Sequence, residues 1–274
     1  MLNKNVSIKV PDTLRKVRNL IPIFSAKGGV GKSEIALNLA LSLVNKKKKV
    51  GLADVDIYGP SQTTMMGAIS EEIEVSNKLL NPVTKNGIKL MSMGLINDER
   101  KPIIWRGPMV SGAVVQLLTQ TDWKELDYLI IDTPPGTGDV QLTLLQRIPI
   151  TSSIIVTTPQ KVAISDTKKG IAMINKLGVP ILGLIENMSW YQPDNSNTRY
   201  YPFGKDGGVE LANEYSLDLL SQIPLYENDD LSFISRHKTT AGIFDALGDK
   251  VITKIQNIKR KKNETIPHID VTND

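Results

Sequence analysis

Residues 27–33 read Lys-Gly-Gly-Val-Gly-Lys-Ser, three glycines between two lysines with a hydroxyl after the second. Glycine lets a backbone turn tightly enough to point its N–H groups inward, the arrangement that grips phosphate. Lys32 can then reach the β- and γ-phosphates, and the Ser33 hydroxyl can bind Mg²⁺. The usual pattern, G-x-x-x-x-G-K-[ST], has Ala26 at its first glycine here, with an extra lysine, Lys27, beside it. Gly28, Gly29, Val30, Gly31, Lys32, Ser33 and Glu34 form the candidate nucleotide-binding stretch. The bland alternative is a plain strand-to-helix turn. Against it, a helix begins at about Gly31–Ser33, so its positive end faces the same point as the loop.

Carboxylates follow at Asp54, Asp56 and Asp132, and an amide at Asn187. An aspartate after a strand often does no more than cap a helix. Asp132 is followed directly by Thr-Pro-Pro-Gly-Thr-Gly, a loop sequence, which favours a functional reading. Roles cannot be divided between Asp54 and Asp56 from sequence, and Asn187 could simply turn the chain.

These residues need elements to hold them. Apolar runs at Ile21–Ser25, Val50–Ala53, Ile88–Leu95, Tyr128–Ile131, Ser153–Thr157 and Ile181–Ile185 read as strands. Helical spacing marks Asp12–Arg18, Lys32–Asn45, Pro108–Leu118, Ala163–Leu177 and Ala241–Ile258. Continuously apolar strands alternating with helices predict an α/β fold with a doubly wound, mostly parallel sheet. In such a sheet ligands bind beyond the carboxyl ends of the strands. Lys27, Asp54, Asp132, Pro159 and Asn187 each fall just past a strand's end, so five segments deliver polar groups to one edge. The expected organisation is a lead-in at 1–19, a P-loop domain at 20–258 and a polar tail at 259–274.

The chain has 274 residues, 41% hydrophobic and 23% charged, enough for one large α/β domain. It has no cysteine, which excludes disulfides, thiolate nucleophiles and cysteine-ligated zinc. No apolar run reaches the roughly 18–20 residues needed to cross a bilayer, and the start does not read as a secretory signal. A cytoplasmic location is the default expectation. The formal charge of +4 is partly local, in Lys46–Lys49 and Lys259–Lys262. Short charge runs usually lie on solvated faces, so neither nucleic acid nor membrane is expected as a partner.

The motifs carry a resemblance. KGGVGKS, with lysines at both ends, resembles the deviant Walker A signature of the P-loop ATPases that include MinD, ParA and the nitrogenase iron protein. DVDIYGPSQ (54–62), LDYLIIDTPPGTGDVQLTL (126–144), the segment 156–189 ending in ENMS, and FGKDGGVELANEY (203–215) are similar to the Mrp family. Members are implicated as iron–sulfur cluster carriers or assembly scaffolds. The likeness implies a P-loop ATPase that binds ATP and Mg²⁺ and works as a homodimer. It implies that Lys27 crosses the dimer interface to the other subunit's phosphates, an arginine-finger logic. It implies that Asp54 and Asp56 form a first switch, with Asp56 orienting the attacking water. Asp132 would hold Mg²⁺ through water, with Ser33 and Asp54 as further metal candidates. Gly136 would lie near the γ-phosphate, and Asn187 and the Ile223–Pro224 backbone would border adenine.

One part of the family pattern is missing. The Cys-x-x-Cys pair after the ENMS segment is replaced by Trp190–Tyr201, which contains no thiol. Iron–sulfur clusters are held chiefly by thiolates, so this chain alone is not expected to ligate one. Partners would be a second copy and iron–sulfur assembly or client proteins. The aromatics Tyr191, Tyr200, Tyr201 and Phe203 could pack as a loop core or form a partner surface. ATP is favoured over GTP because Asn175-Lys176-Leu177 is followed by Gly178, not by the aspartate a guanine site uses. The alternative function is a MinD- or ParA-type positioning ATPase, with the last helix and its basic end as an anchor.

Overall fold

Strand residues alternate between two faces, and here both faces are covered. Ile21, Ile23, Leu52 and Ile130 enter one core. Their neighbours Leu20, Phe24, Ala53, Leu129 and Ile131 enter a second core behind the sheet. That period-2 division makes the strands continuously apolar in sequence. The computed structural model describes residues 10–96, 107–193, 196–225 and 238–264. The expectations for residues 1–9 and 265–274 lie outside these residues.

The strands are β1 (Leu20–Phe24), β2 (Val50–Asp54), β3 (Val75–Ser76), β4 (Leu79–Leu80), β5 (Val83–Lys85), β6 (Ile88–Ser92), β7 (Tyr128–Asp132), β8 (Ser153–Thr157), β9 (Ile181–Glu186) and β10 (Leu219–Gln222). The main sheet runs β10-β9-β8-β1-β7-β2-β6-β5, and β3 and β4 pair separately. β1 sits between β7 and β8, parallel to both. β2 is parallel to β6 and β7. Only β5 runs antiparallel within the main sheet, joined to β6 through Asn86-Gly87. Both turn residues have positive φ, at 50° and 77°, the geometry of a tight hairpin turn.

The helices are α1 (Asp12–Arg15), α2 (Lys32–Asn45), α3 (Gln62–Met65), α4 (Met93–Ile96), α5 (Gly107–Gln120), α6 (Asp139–Arg147), α7 (Lys161–Lys176), α8 (Gly207–Glu214) and α9 (Lys238–Glu264). Ile35, Leu39 and Leu43 of α2, and Phe244, Leu247 and Val251 of α9, fill the first core. Val114 and Leu118 of α5, Leu144 of α6 and Ile171 of α7 fill the second. The sheet is therefore doubly wound, as expected, and the chain leaves β1 at its centre, where a crevice opens at the carboxyl ends.

Some boundaries differ from the sequence expectation. The helix expected over Asp12–Arg18 stops at Arg15, because Val17 leaves it to bridge Leu126. The strand expected over Ile88–Leu95 ends at Ser92 and a helical turn follows. Ser92 explains the stop: its hydroxyl accepts the Gly94 N–H at 3.0 Å and donates to Asp54 at 3.0 Å, bonds that compete with a sheet ladder. The last helix continues past Ile258 to Glu264. The short α6, α8 and β10 were not anticipated.

Candidate functional site

The loop from Ser25 to Gly31 connects the central strand to α2. Gly29 and Gly31 have φ of 77° and 78°, a region that costs most side chains energy. Gly31 is also the N-terminal cap of α2, so the first free N–H groups of that helix open toward the loop. No side chain caps this end, which leaves those donors for a ligand. A cleft of about 520 Å³ lies over it, lined by Gly28 to Glu34 and by Asn187, Met188, Ile223, Pro224, Leu225 and Phe244. The lining thus joins a backbone cradle to a set of apolar side chains, a combination suited to a phosphate-bearing ring compound.

Lys32 is buried, and its ammonium pairs with Oδ1 of the fully buried Asp132. The other oxygen of Asp132 accepts from Gln62 Nε2 at 2.8 Å, and the same amide reaches Ser33 O at 2.8 Å. Gln62 therefore ties the loop after β2 to the start of α2 and to the end of β7. It was not among the sequence candidates, although it closes the DVDIYGPSQ segment. A side-chain amide at the first residue of a short helix was the only signal for it.

The structure separates the two aspartates that the sequence could not. Asp54 is fully buried and accepts from Asp56 N at 3.2 Å, Gln62 N at 3.1 Å and Ser92 Oγ at 3.0 Å. It does not line the cleft. Burial first, then the charge of Asp132, pushes its carboxyl up to about 7. Asp56 does line the cleft, and Tyr58 N and Gly59 N donate to its Oδ1 at 3.2 and 3.3 Å. Its pKa is raised, mainly by burial, while the nearby Lys32 pulls it down.

Asn187 also lines the cleft and donates to Val30 O at 2.9 Å, which fixes the loop from above. Ile223 N is held by Glu186 O at 2.9 Å, which brings Pro224 to the cleft beside Asn187. Glu34 follows Ser33 in the first turn of α2, and burial pushes its carboxyl up to about 7. Gly136 does not line the cleft: its N–H donates to Ser25 O at 2.8 Å, and Pro135 forms the wall instead. Lys27 precedes the cleft-lining Gly28 and is partly exposed, and no described residue pairs with it.

Buried oxygens of Ser25, Ser61 and Gln62 have no hydrogen-bond partner among the described residues, and the two serines line the cleft. Ser33 and the Asp56 carboxylate line the same cleft, and oxygen donors of this kind are the ones Mg²⁺ takes. Among the described residues no three His, Cys, Asp or Glu side chains converge as a metal cage. A cation here would be completed by phosphates and water, the habit of Mg²⁺ in phosphoryl-transfer sites.

The aromatic segment is not a packed core. Tyr200 is 54% exposed and Tyr201 37%, while Arg199 stacks on Trp190 at 4.3 Å. Tyr191 and Tyr200 form an isolated antiparallel bridge. Of the basic runs, Lys46 is tied to Asp245 and Asp249 of α9 at 2.7 and 2.8 Å.

Residues 16–258 match the family described as "ParA: NUBPL iron-transfer P-loop NTPase". An "Iron-sulfur cluster carrier protein" of Pseudomonas fragi is 47% identical over 215 residues, covering 77% of this chain and 75% of that protein. The Escherichia coli K12 protein of the same name is 42% identical, covering 90% of this chain and 70% of its own length. For the "Iron-sulfur cluster transfer protein NUBPL" of Mus musculus the identity is 48%, and the chain spans 66% of that protein. The chain spans 63% of a cluster carrier protein from Synechocystis. Among solved structures, a nucleotide-binding protein from Archaeoglobus fulgidus in complex with ADP is 32% identical, with a TM-score of 0.70, covering 94% of this chain and 95% of that one. A cell-division ATPase MinD from Pyrococcus furiosus, at 18% identity and a TM-score of 0.58 over 86% of this chain and 99% of that one, shares the fold.

Proposed function

The chain belongs to the ParA/NUBPL iron-transfer P-loop NTPase family, and from that premise we propose that it is a Mg²⁺-dependent ATPase working as a dimeric switch in iron–sulfur cluster transfer. The observation that carries this reading is the cradle: uncapped amides of α2, with Lys32 and Ser33 behind them, facing a cleft whose far end is apolar.

In this reading the amides from Gly28 to Ser33 and the Lys32 ammonium bind the β- and γ-phosphates. Magnesium, when bound, neutralises phosphate charge, and Ser33 with Asp132 through water would hold it. Asp56 is preferred over Asp54 for orienting the attacking water. It lines the cleft, whereas both oxygens of Asp54 are engaged in bracing the loop after β2. Water attacks the γ-phosphorus, the bond to the β-phosphate bridging oxygen breaks, and ADP and phosphate leave. Lys27 of a second copy would supply positive charge to the transition state. Asn187 and the Pro224 lip would border the adenine. Asp54 and Gly136 would act on the cleft from behind it.

Cluster chemistry enters as cargo. The chain has no cysteine, so thiolates would come from a partner that this switch engages and releases. A positioning role on membrane or DNA gains little support, because the apolar face of α9 is already buried: Phe244, Leu247, Val251 and Ile255 are each about 1% exposed or less. An amphipathic anchor needs that face free.

Phosphate release from ATP, measured with and without Mg²⁺, tests the reading. The expected result is Mg²⁺-dependent turnover that Lys27→Ala removes while sparing much of the nucleotide binding. Turnover unaffected by Lys27→Ala would contradict the dimeric mechanism.

A further inference from the structure

We infer that Glu34 accepts hydrogen bonds from the ribose hydroxyls of the bound nucleotide, so that the cleft selects ribonucleotides over their deoxy counterparts. This rests on the nucleotide-binding reading above and adds a specificity residue to it.

Position is the first argument. Glu34 lies one residue beyond Ser33, in the opening turn of α2, and lines the cleft. A Cβ built on Gly31 would lie 3.6 Å from Glu34 Oε2 and would also strike the Asn187 side-chain amide. Glu34 and Asn187 therefore share one corner. Asn187 leads directly into Met188, which with Ile223, Leu225 and Phe244 forms the apolar end of the cleft. The Glu34 carboxyl thus stands between the phosphate cradle and the end suited to a base. In a nucleotide the sugar spans that interval.

Valence is the second argument. The backbone oxygen of Glu34 accepts from Asn38 Nδ2 at 2.9 Å. Its carboxyl has no hydrogen-bond or ion-pair partner among the described residues. Asp56, the cleft's other carboxylate, is held by two backbone N–H groups. A largely sequestered acceptor gains most from a ligand donor. Phosphates offer no donors, and the adenine amino group belongs to the far end. The hydroxyls at C2′ and C3′ are the donors within reach, and a carboxyl group accepts from them in either protonation state.

A plainer role exists. An acidic residue in the first turn stabilises a helix through its dipole, with no regard to ligand. That role would alter stability but not the ratio of affinities for two nucleotides.

The test measures calorimetric affinities of ATP, 2′-deoxyATP and 3′-deoxyATP, each with Mg²⁺, for the full chain and for Glu34→Ala and Glu34→Gln. The wild type should prefer ATP over at least one deoxy analogue by about tenfold, equivalent to about 1.4 kcal/mol. Glu34→Ala should bind all three within about twofold of one another, and Glu34→Gln, which keeps a carbonyl acceptor, should fall between. If Glu34→Ala does not fold, the wild type and Glu34→Gln decide. Equal affinities in the wild type, or full discrimination surviving in Glu34→Ala, would overturn the inference and leave the nucleotide reading standing. Failure of the wild type to bind any of the three would overturn both.

Discussion

Lys32, Asp132 and Gln62 hold one another in the interior, and the contacts run through three separate segments of chain. Gln62 orients rather than reacts. Its amide positions one oxygen of Asp132 and the backbone of Ser33, the two residues whose side chains are proposed to hold Mg²⁺. Removing such a support typically costs about 10–100-fold in metal affinity or activity. Gln62→Leu should therefore raise the Mg²⁺ concentration needed for turnover by about that factor. An unchanged Mg²⁺ titration would count against the role. Glu34 gives a second expectation. Its carboxyl is raised from 4.5 to about 7 by burial, so the folded protein holds this proton more tightly than the unfolded chain. Its stabilising effect is complete below pH 4.5 and is lost as pH rises through about 7. Glu34→Gln should raise the melting temperature of the ligand-free protein at pH 8 relative to wild type and change it little at pH 4. Parallel stability curves from pH 4 to 8 would refute that. Residue types and spacing located Asp54 and Asp56 without ranking them, and only the family resemblance favoured Asp56, because their difference lies in which backbone amides fold around each, a property of the loop.

Among the elements, α2 and α9 meet most tightly at Gly248. A Cβ there would press on Ser42 and approach Lys46 Cε at 3.0 Å, so the absent side chain permits the helices to close. Lys46 then fastens α9 by its two aspartates, an arrangement worth about 1 kcal/mol at a partly exposed position. Gly248→Leu should destabilise the protein by about 1–3 kcal/mol through overpacking, although leucine is the better helix former. A rise in melting temperature would show that α9 packs otherwise. This is also the scale at which sequence was most and least informative. Lys32–Asn45 was readable to the residue, since a wide apolar face and the glycine loop fix both ends. The end of β6 was missed because one hydroxyl, Ser92 Oγ, outcompetes the apolar run Met93–Leu95. The hairpin between β5 and β6 was readable in principle, since Asn86-Gly87 is a strong turn pair, but its strands are too short to show a period.

For the molecule as a whole, the sheet places β1 at its centre, and every proposed phosphate contact descends from that placement. Sequence made this much legible because apolar strands ending in polar residues report their common edge. The base end of the cleft was legible only in part, since Phe244 reaches it from a helix 200 residues away in a chain of 274. Lys27, partly exposed beside the loop glycines, fits a group that acts on a second copy. ATP held without turnover, in Asp56→Asn, should shift the protein to a dimer in light scattering, and Lys27→Ala should weaken that shift. Anaerobic reconstitution with iron and sulfide should leave the isolated chain without stable cluster absorbance, whereas stoichiometric iron with such bands would show ligands other than thiolates.

All of this depends on a triphosphate binding at the loop after β1. Calorimetric titration of Mg²⁺-ATP into the wild type and into Lys32→Ala measures that dependence directly. Saturable binding near one nucleotide per chain in the wild type, abolished in Lys32→Ala, is the predicted result. Equal affinity in the two proteins, or no heat of binding in the wild type, would contradict it.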